Sequence, residues 1–349
     1  MSVSALRRST VLATALAILC GSCSARIIAA PQANSEATEH DPVDQPADRA
    51  AAAGRSLLLG VARAGKRLVA VGERGHILLS DDRGQTWTQA AVVPSRTMLT
   101  AVCFVDPEHG WAVGHDEIIL RTRDAGQTWA RSHYAPESQQ PLLAIVCLDS
   151  QRILAVGAYG SVFATHDGGV TWVAQKFVYD PLIKHAPTLA ATETQTPPDY
   201  HLNSIATVGK YIFIGAESGQ LFRSGDDGAN WLQLPSPYKG SFFGLLALDG
   251  DGLLAFGLRG NLFRTRDAGV SWQKIDSGSS AMLTDAARLS DGAIVIVGLS
   301  GTVVVSRDGG ATFNSSQQAD RKGLAAVLPL ANEQILAVGE AGSRIIDLR

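Results

Sequence analysis

Six aspartates recur in one setting along this 349-residue chain: Asp82, Asp124, Asp167, Asp226, Asp267 and Asp308. Each follows a Ser or Thr by two residues. Each precedes a Gly by two residues and an aromatic by five. Carboxylates beside hydroxyls are a donor set for an oxygen-ligated cation or for acid–base chemistry. The spacing argues for a humbler use. In the window [Ser/Thr]-x-Asp-x-Gly-x-[Thr/Ser/Asn]-aromatic, hydroxyl and carboxylate reach the amides of their own turn. The glycine is expected at positive φ, and the aromatic fills the wedge between neighbouring sheets. The structural set is then Asp82, Gly84 and Trp87; Asp124, Gly126 and Trp129; Asp167, Gly169 and Trp172; Asp226, Gly228 and Trp231; Asp267, Gly269 and Trp272; Asp308, Gly310 and Phe313. No catalytic residue is assigned.

The remaining titratable groups give little more. The eight histidines are scattered. His109 and His115 fall at the two ends of one strand, about 20 Å apart at strand rise. No metal and no cofactor is expected. Glu73, Asp116, Glu117, Glu217 and Glu340 belong to one face, where two carboxylates can in principle form a glycosidase pair; solvated surface carboxylates are the plainer reading. The formal net charge of −3, with both signs mixed, excludes the basic surface that nucleic acid demands.

These residues are positioned by an internal repeat. The box aromatics fall at 87, 129, 172, 231, 272 and 313, in steps of 42, 43, 59, 41 and 41 residues. A Val-Gly-like pair precedes each box and occurs seven times, at Gly72, Gly114, Gly157, Gly215, Gly257, Gly298 and Gly339. A period of about 40–50 residues rich in short strands is propeller spacing. The second unit reads as strands at 99–105, 111–114, 117–122 and 128–133. The expected fold is all-β, a seven-bladed β-propeller over residues 53–349. Residues 324–349 supply three strands and no box, so part of 26–50 is expected to close the ring. Cys103 and Cys147 occupy the first strands of adjacent blades. Aligning those strands puts the two side chains on opposite sheet faces, so free, buried thiols are expected.

The 59-residue step locates an insertion at about 175–203. Strand-4-to-strand-1 connections share a face with the strand-2-to-3 turns, opposite the Asp boxes. A long loop on a rigid scaffold is a common seat of function. The candidate partner-binding residues on this face are Arg74, His76, His115, Tyr159, Asp199, Tyr200, His201 and Arg259.

The N-terminus reads as a secretory signal over 1–25: Arg7 and Arg8, then the apolar run 11–20, then small residues with cleavage near Ala25 or Ala30. Cys23 is a candidate lipid site, the only expected link to a membrane. Residues 26–52 are acidic, Pro-containing and read as a disordered linker. The expected location is the periplasm, or the thylakoid lumen in a phototroph.

Asp boxes also occur in sialidases, but the Arg-Ile-Pro signature of those enzymes is absent. The union of Val-Gly-x-x-Gly, an apolar strand and an Asp box resembles the photosystem II assembly and stability factors and their relatives in non-photosynthetic bacteria. The phrases Val71–Ser80 and Gly257–Thr265 carry the resemblance most clearly. It covers about 55–349. It implies a non-catalytic propeller that binds a protein partner, a subunit of a membrane complex, through an arginine-rich surface. Arg74 and Arg259 stand in matching Gly-x-Arg-Gly turns, Arg223 and Arg264 in matching strands. The alternative is a carbohydrate-active or glycan-binding propeller.

Overall fold

The computed structural model describes residues 45–181 and 200–349. Seven sheets follow one another along the chain, antiparallel but for one added edge strand: five of four strands, one of five and, last, one of three. The all-β seven-bladed propeller is thus the observed fold. Blade 2 is typical, with strands Leu99–Phe104, Gly110–Gly114, Ile119–Thr122 and Ala130–His133. Its second strand is buried along its whole length, and its fourth is half exposed. A second strand has sheet on both edges and a neighbouring blade on both faces, so it reads as a continuous apolar run. Ile153–Gly157 in blade 3 and Ile294–Gly298 in blade 6 follow the same pattern.

Each first strand pairs with its second through one register shift, such as between Leu58 and Gly60 or between Leu283 and Asp285. Such bulges bend and twist a strand. The seven first strands line a central cavity of ≈260 Å³ with mostly small or apolar residues. Its one carboxylate is Asp285, which accepts hydrogen bonds from the amides of Ala286 in its own blade and Val327 in blade 7, both at 2.8 Å. Enclosure by protein pushes its carboxyl up to about 6, against the pull of those two amides.

The Asp boxes have the expected local geometry. Asp82 accepts from Ser80 Oγ at 2.8 Å and from the Thr86 amide at 2.9 Å, while Ser80 Oγ accepts from the Gly84 amide at 2.8 Å. The six box glycines have φ between 78° and 89°. The hydrogen bond from Thr86 Oγ1 is the leading cause that holds Asp82 at about 2, and the Ser271 hydroxyl does the same for Asp267. Each box packs on the preceding blade: Gly126 against Leu79 and Val69, Gly228 against Leu154, and Gly84 of blade 1 against Leu336 of blade 7.

That last contact closes the ring, with Leu58, Ala70 and Leu78 of blade 1 packed on Ala326 and Val338 of blade 7. Gly342 has φ 76°, and a Cβ there would lie 2.0 Å from Gly54 O. The counterpart Gly260 is as close to Ser279 O in the connection after blade 5. Residues 53–57 therefore serve blade 7 as those connections serve other blades. Residues 45–50 do not join the last sheet, which keeps three strands among the described residues. Instead the Ala47 amide donates to Val93 O at 3.0 Å, the Ala50 amide donates to Gln89 Oε1 at 2.8 Å, and Arg96 pairs with Asp48. The remainder of the expected closing segment, the linker before Gln45, the signal region and Cys23 lie outside the described residues.

The expectation of free cysteines is overturned. Cys103 and Cys147 form a disulfide, Cα to Cα 6.1 Å. Their side chains do project from opposite faces of their own sheets. Neighbouring blades stack face to face, so opposite faces look into one seam. Cys103 shares its cluster with Ala101 and Val105, and Cys147 shares the same cluster with Ile145. Ala144 and Val146 point the other way, into the seam with blade 4.

Candidate functional site at the turn face

The turns between second and third strands are built alike. In five of them a non-glycine residue takes the left-handed conformation just before the glycine: Arg74 (φ 55°), Tyr159 (53°), Ser218 (54°), Arg259 (56°) and Ser300 (57°). In blade 2, Asp116 and Glu117 do so. This conformation costs L-residues roughly 1 kcal/mol or more each, and it lifts their side chains from the surface. All five are exposed.

Around blade 3 this turn meets the end of the insertion. The Gly160 amide donates to Tyr200 O at 2.9 Å, and the Glu217 amide donates to His201 O at 3.1 Å. Glu217 returns the contact: its Oε2 accepts from the His201 amide at 3.3 Å, and its Oε1 lies 3.5 Å from His201 Nδ1. The imidazole meets the Tyr159 ring edge to face, centroids 5.0 Å apart. Tyr159 is 54% exposed. Tyr159, Tyr200, His201 and Glu217 thus form one cluster from two turns and the insertion, a half-exposed aromatic and carboxylate surface held by backbone hydrogen bonds.

The other expected site residues do not join it. His76 is buried, with neither ring nitrogen partnered, and burial pushes its pKa down. Its ring packs inside the blade instead of facing solvent on the turn surface where it was expected. His115 is exposed in the blade 2 turn. Arg74 stands in the blade 1 turn; Arg259 lines a separate cavity of ≈420 Å³ with Lys274 and Asp276. Asp199 lies outside the described residues. Of the two strand arginines, Arg223 donates to Ala268 O at 2.8 Å and covers the Tyr211 ring at 4.6 Å. Arg264 has its Nε buried without a partner. Neither belongs to the turn-face cluster.

The start of the insertion lies elsewhere than expected. Tyr179–Pro181 adds a fifth, parallel strand to the outer edge of blade 4, opposite Trp231–Gln233. Phe177 is buried against the rings of Phe222 at 4.9 Å and Trp231 at 5.7 Å. The alternating Phe177 and Tyr179 were the sequence signal for this strand. The insertion is therefore anchored at both ends, on the blade 4 edge and on the turn face. Among the described residues no three of His, Cys, Asp and Glu converge as a metal site. Two of the acidic turn residues face histidines: Glu217 lies 3.5 Å from His201 Nδ1, and Glu117 3.6 Å from His133 Nε2.

The repeat that builds this face also decides the ancestry. A family model described as photosynthesis system II assembly factor YCF48 matches residues 90–177 and 142–297. The chain belongs to this family. Among solved structures, YCF48 bound to a D1 peptide is 18% identical, with a TM-score of 0.64, over 83% of this chain and 93% of that one. YCF48 from Cyanidioschyzon merolae is also 18% identical, with a TM-score of 0.61, over 86% and 97%. A streptogramin B lyase matches at 12% identity, with a TM-score of 0.64, over 86% and 97%. At these identities the structures establish the propeller alone, and the family match carries the membership. A search among curated proteins found no match.

Proposed function

We propose that this chain is an exported, non-catalytic scaffold that binds a protein partner at its turn face and aids the assembly of a membrane complex. Membership of the assembly-factor family supports the role, and the solved relative bound to a D1 peptide is a precedent for a protein ligand. The observation that supports the turn face as the contact is the Tyr159–His201–Glu217 cluster: partly exposed, aromatic, and held on its turns by two backbone–backbone hydrogen bonds and one from the His201 amide to the Glu217 carboxylate. Aromatic groups at low entropic cost are the usual anchors of interfaces. Two of the five face carboxylates that the glycosidase reading could draw on, Glu117 and Glu217, lie beside histidines at 3.6 and 3.5 Å, which favours the scaffold reading. The partner is taken to be a membrane-complex subunit. The signal-like pattern of residues 1–25 supports a meeting in the periplasm, or in the thylakoid lumen if the source is a phototroph.

The test is affinity capture of the tagged, exported chain after mild crosslinking in cells, with mass spectrometry of captured proteins. Capture of one membrane-complex subunit, abolished by Tyr159→Ala with His201→Ala, supports the proposal. Retention of the same subunit by the double variant moves the contact to another surface. Retention on a glycan array without a protein partner replaces the scaffold reading with the carbohydrate one.

A further inference from the structure

We propose that the seam between blades 2 and 3, at the Asp-box end of the propeller, is a binding site for a compact oxyanion bearing carboxylate or phosphate groups. A cavity of ≈370 Å³ opens there, lined by Arg121, Arg123, Trp129, Arg131, Ser132 and Val170. It lies at the opposite end of the blades from Tyr159 and is independent of the partner-binding proposal.

Three guanidinium groups line this one cavity. Arg121 sits on the third strand of blade 2, in register with Trp111 on one side and Ala130 on the other. Its guanidinium carbon is 5.8 Å from the Trp111 ring centroid. Stacking on an aromatic restrains the fork while leaving in-plane donors to face outward. Its Nε is buried without an acceptor, an arrangement that leaves part of a cation's desolvation uncompensated. At the same strand position in blade 4, Arg223 has a carbonyl to donate to. Burial and the nearby Arg123 hold the Arg121 pKa below its ordinary value.

The negative charge closest in kind, Asp167 of the blade 3 box, is already committed. It accepts from the amides of Val170 and Thr171 at 2.9 Å and from Thr171 Oγ1 at 2.6 Å. No ion pair to Arg121 or Arg123 forms among the described residues. Ser132 closes the floor: its hydroxyl donates to Gly169 O and accepts from the Trp172 indole at 2.9 Å. Val170, 62% exposed, gives one wall an apolar surface for a ligand's carbon skeleton. Forked donors beside an apolar wall suit an anion with two or more oxygens in a plane or tetrahedron, taken bidentate.

The experiment is calorimetric titration of the full mature chain with citrate and, separately, with inorganic phosphate, at constant ionic strength. Saturable one-to-one binding of either is expected, and the arm that binds assigns the ligand's chemistry. Arg121→Gln and Arg123→Gln should each weaken binding by about tenfold, the usual loss for a charge-assisted hydrogen bond. Arg83→Gln removes an equal, exposed charge at the same end of blade 1 and should leave it unchanged. Arg123 is exposed, so its variant reads the site even if Arg121→Gln disturbs the seam. The proposal falls if heat follows ionic strength alone, as screening would give, or if Arg83→Gln weakens binding equally.

Discussion

Cys103 and Cys147 lie on opposite faces of their own sheets and are joined because of it, Cα to Cα 6.1 Å across the seam of blades 2 and 3. The bond closes a 44-residue interval. In the chain-entropy picture such a loop is worth about 3–4 kcal/mol. Cys103→Ser with Cys147→Ser should lower the denaturant midpoint accordingly and steepen the slope, because the unfolded chain without the cross-link exposes more surface. The measurement is urea unfolding of variant and parent. Thiol counting on the mature, unfolded parent should find neither cysteine free.

Gly342 and Gly54 make the ring-closing contact. An alanine at 342 must hold φ near 76° and displace a carbonyl 2.0 Å from its Cβ. Gly342→Ala should cost more than about 2 kcal/mol, since strain and a backbone clash combine. Gly309→Ala, at φ 69° with nothing within 4 Å, meets only the backbone term and should cost about 1 kcal/mol. Thermal unfolding of the pair separates ring closure from simple turn strain.

Asp285 and the Asp boxes have opposite acid responses. The Asp285 carboxyl is raised to about 6, above its unfolded value near 4. The native state therefore holds the proton more tightly, and this group's contribution to stability falls as pH rises from about 4 to 6. Asp82 and Asp267 are depressed to about 2. Their contribution is complete above about 4 and is lost as pH falls toward 2. Stability measured against pH should rise from 2 to 4 and then decline toward 6. Asp285→Asn should remove the decline and leave the acid limb.

Tyr159 combines an exposed ring with a left-handed backbone, φ 53°. Tyr159→Gly should raise stability by up to about 1 kcal/mol by relieving that conformation, while weakening capture of the protein partner. A loss of both would mean that the ring is chiefly structural. Melting temperature and a pull-down on the same preparation decide it.

Much of this was legible before any fold was seen. The Asp boxes at Asp82 to Asp308, the seven Val-Gly pairs and the Gly-x-x-Gly turns are interactions within eight residues or fewer. A period near 42 in such units admits few architectures. Even the face shared by Tyr159 and the end of the insertion followed from strand direction alone, because every 2-to-3 turn must emerge at one end. What failed was reasoning from one sheet to the next. Side-chain parity correctly separated Cys103 from Cys147 but could not say that the two faces meet, since stacking of blades is set by packing between sheets and not by alternation within them.

The sequence by itself thus determined the blades, their number, the turn chemistry and the structural character of the box aspartates, because each is encoded by neighbours along the chain. Only the tertiary structure decided the disulfide, the closure of the ring through Gly54 and Gly342, the burial of His76, the anchoring of the insertion on blade 4, and the gathering of Arg121, Arg123 and Arg131 around one cavity. The Arg-Thr-Arg-Asp phrases at 121–124 and 264–267 were visible as repeats. That one of them opens onto a cavity depends on a third arginine, a tryptophan and the turn of the next blade, brought together by blade stacking that no local pattern records.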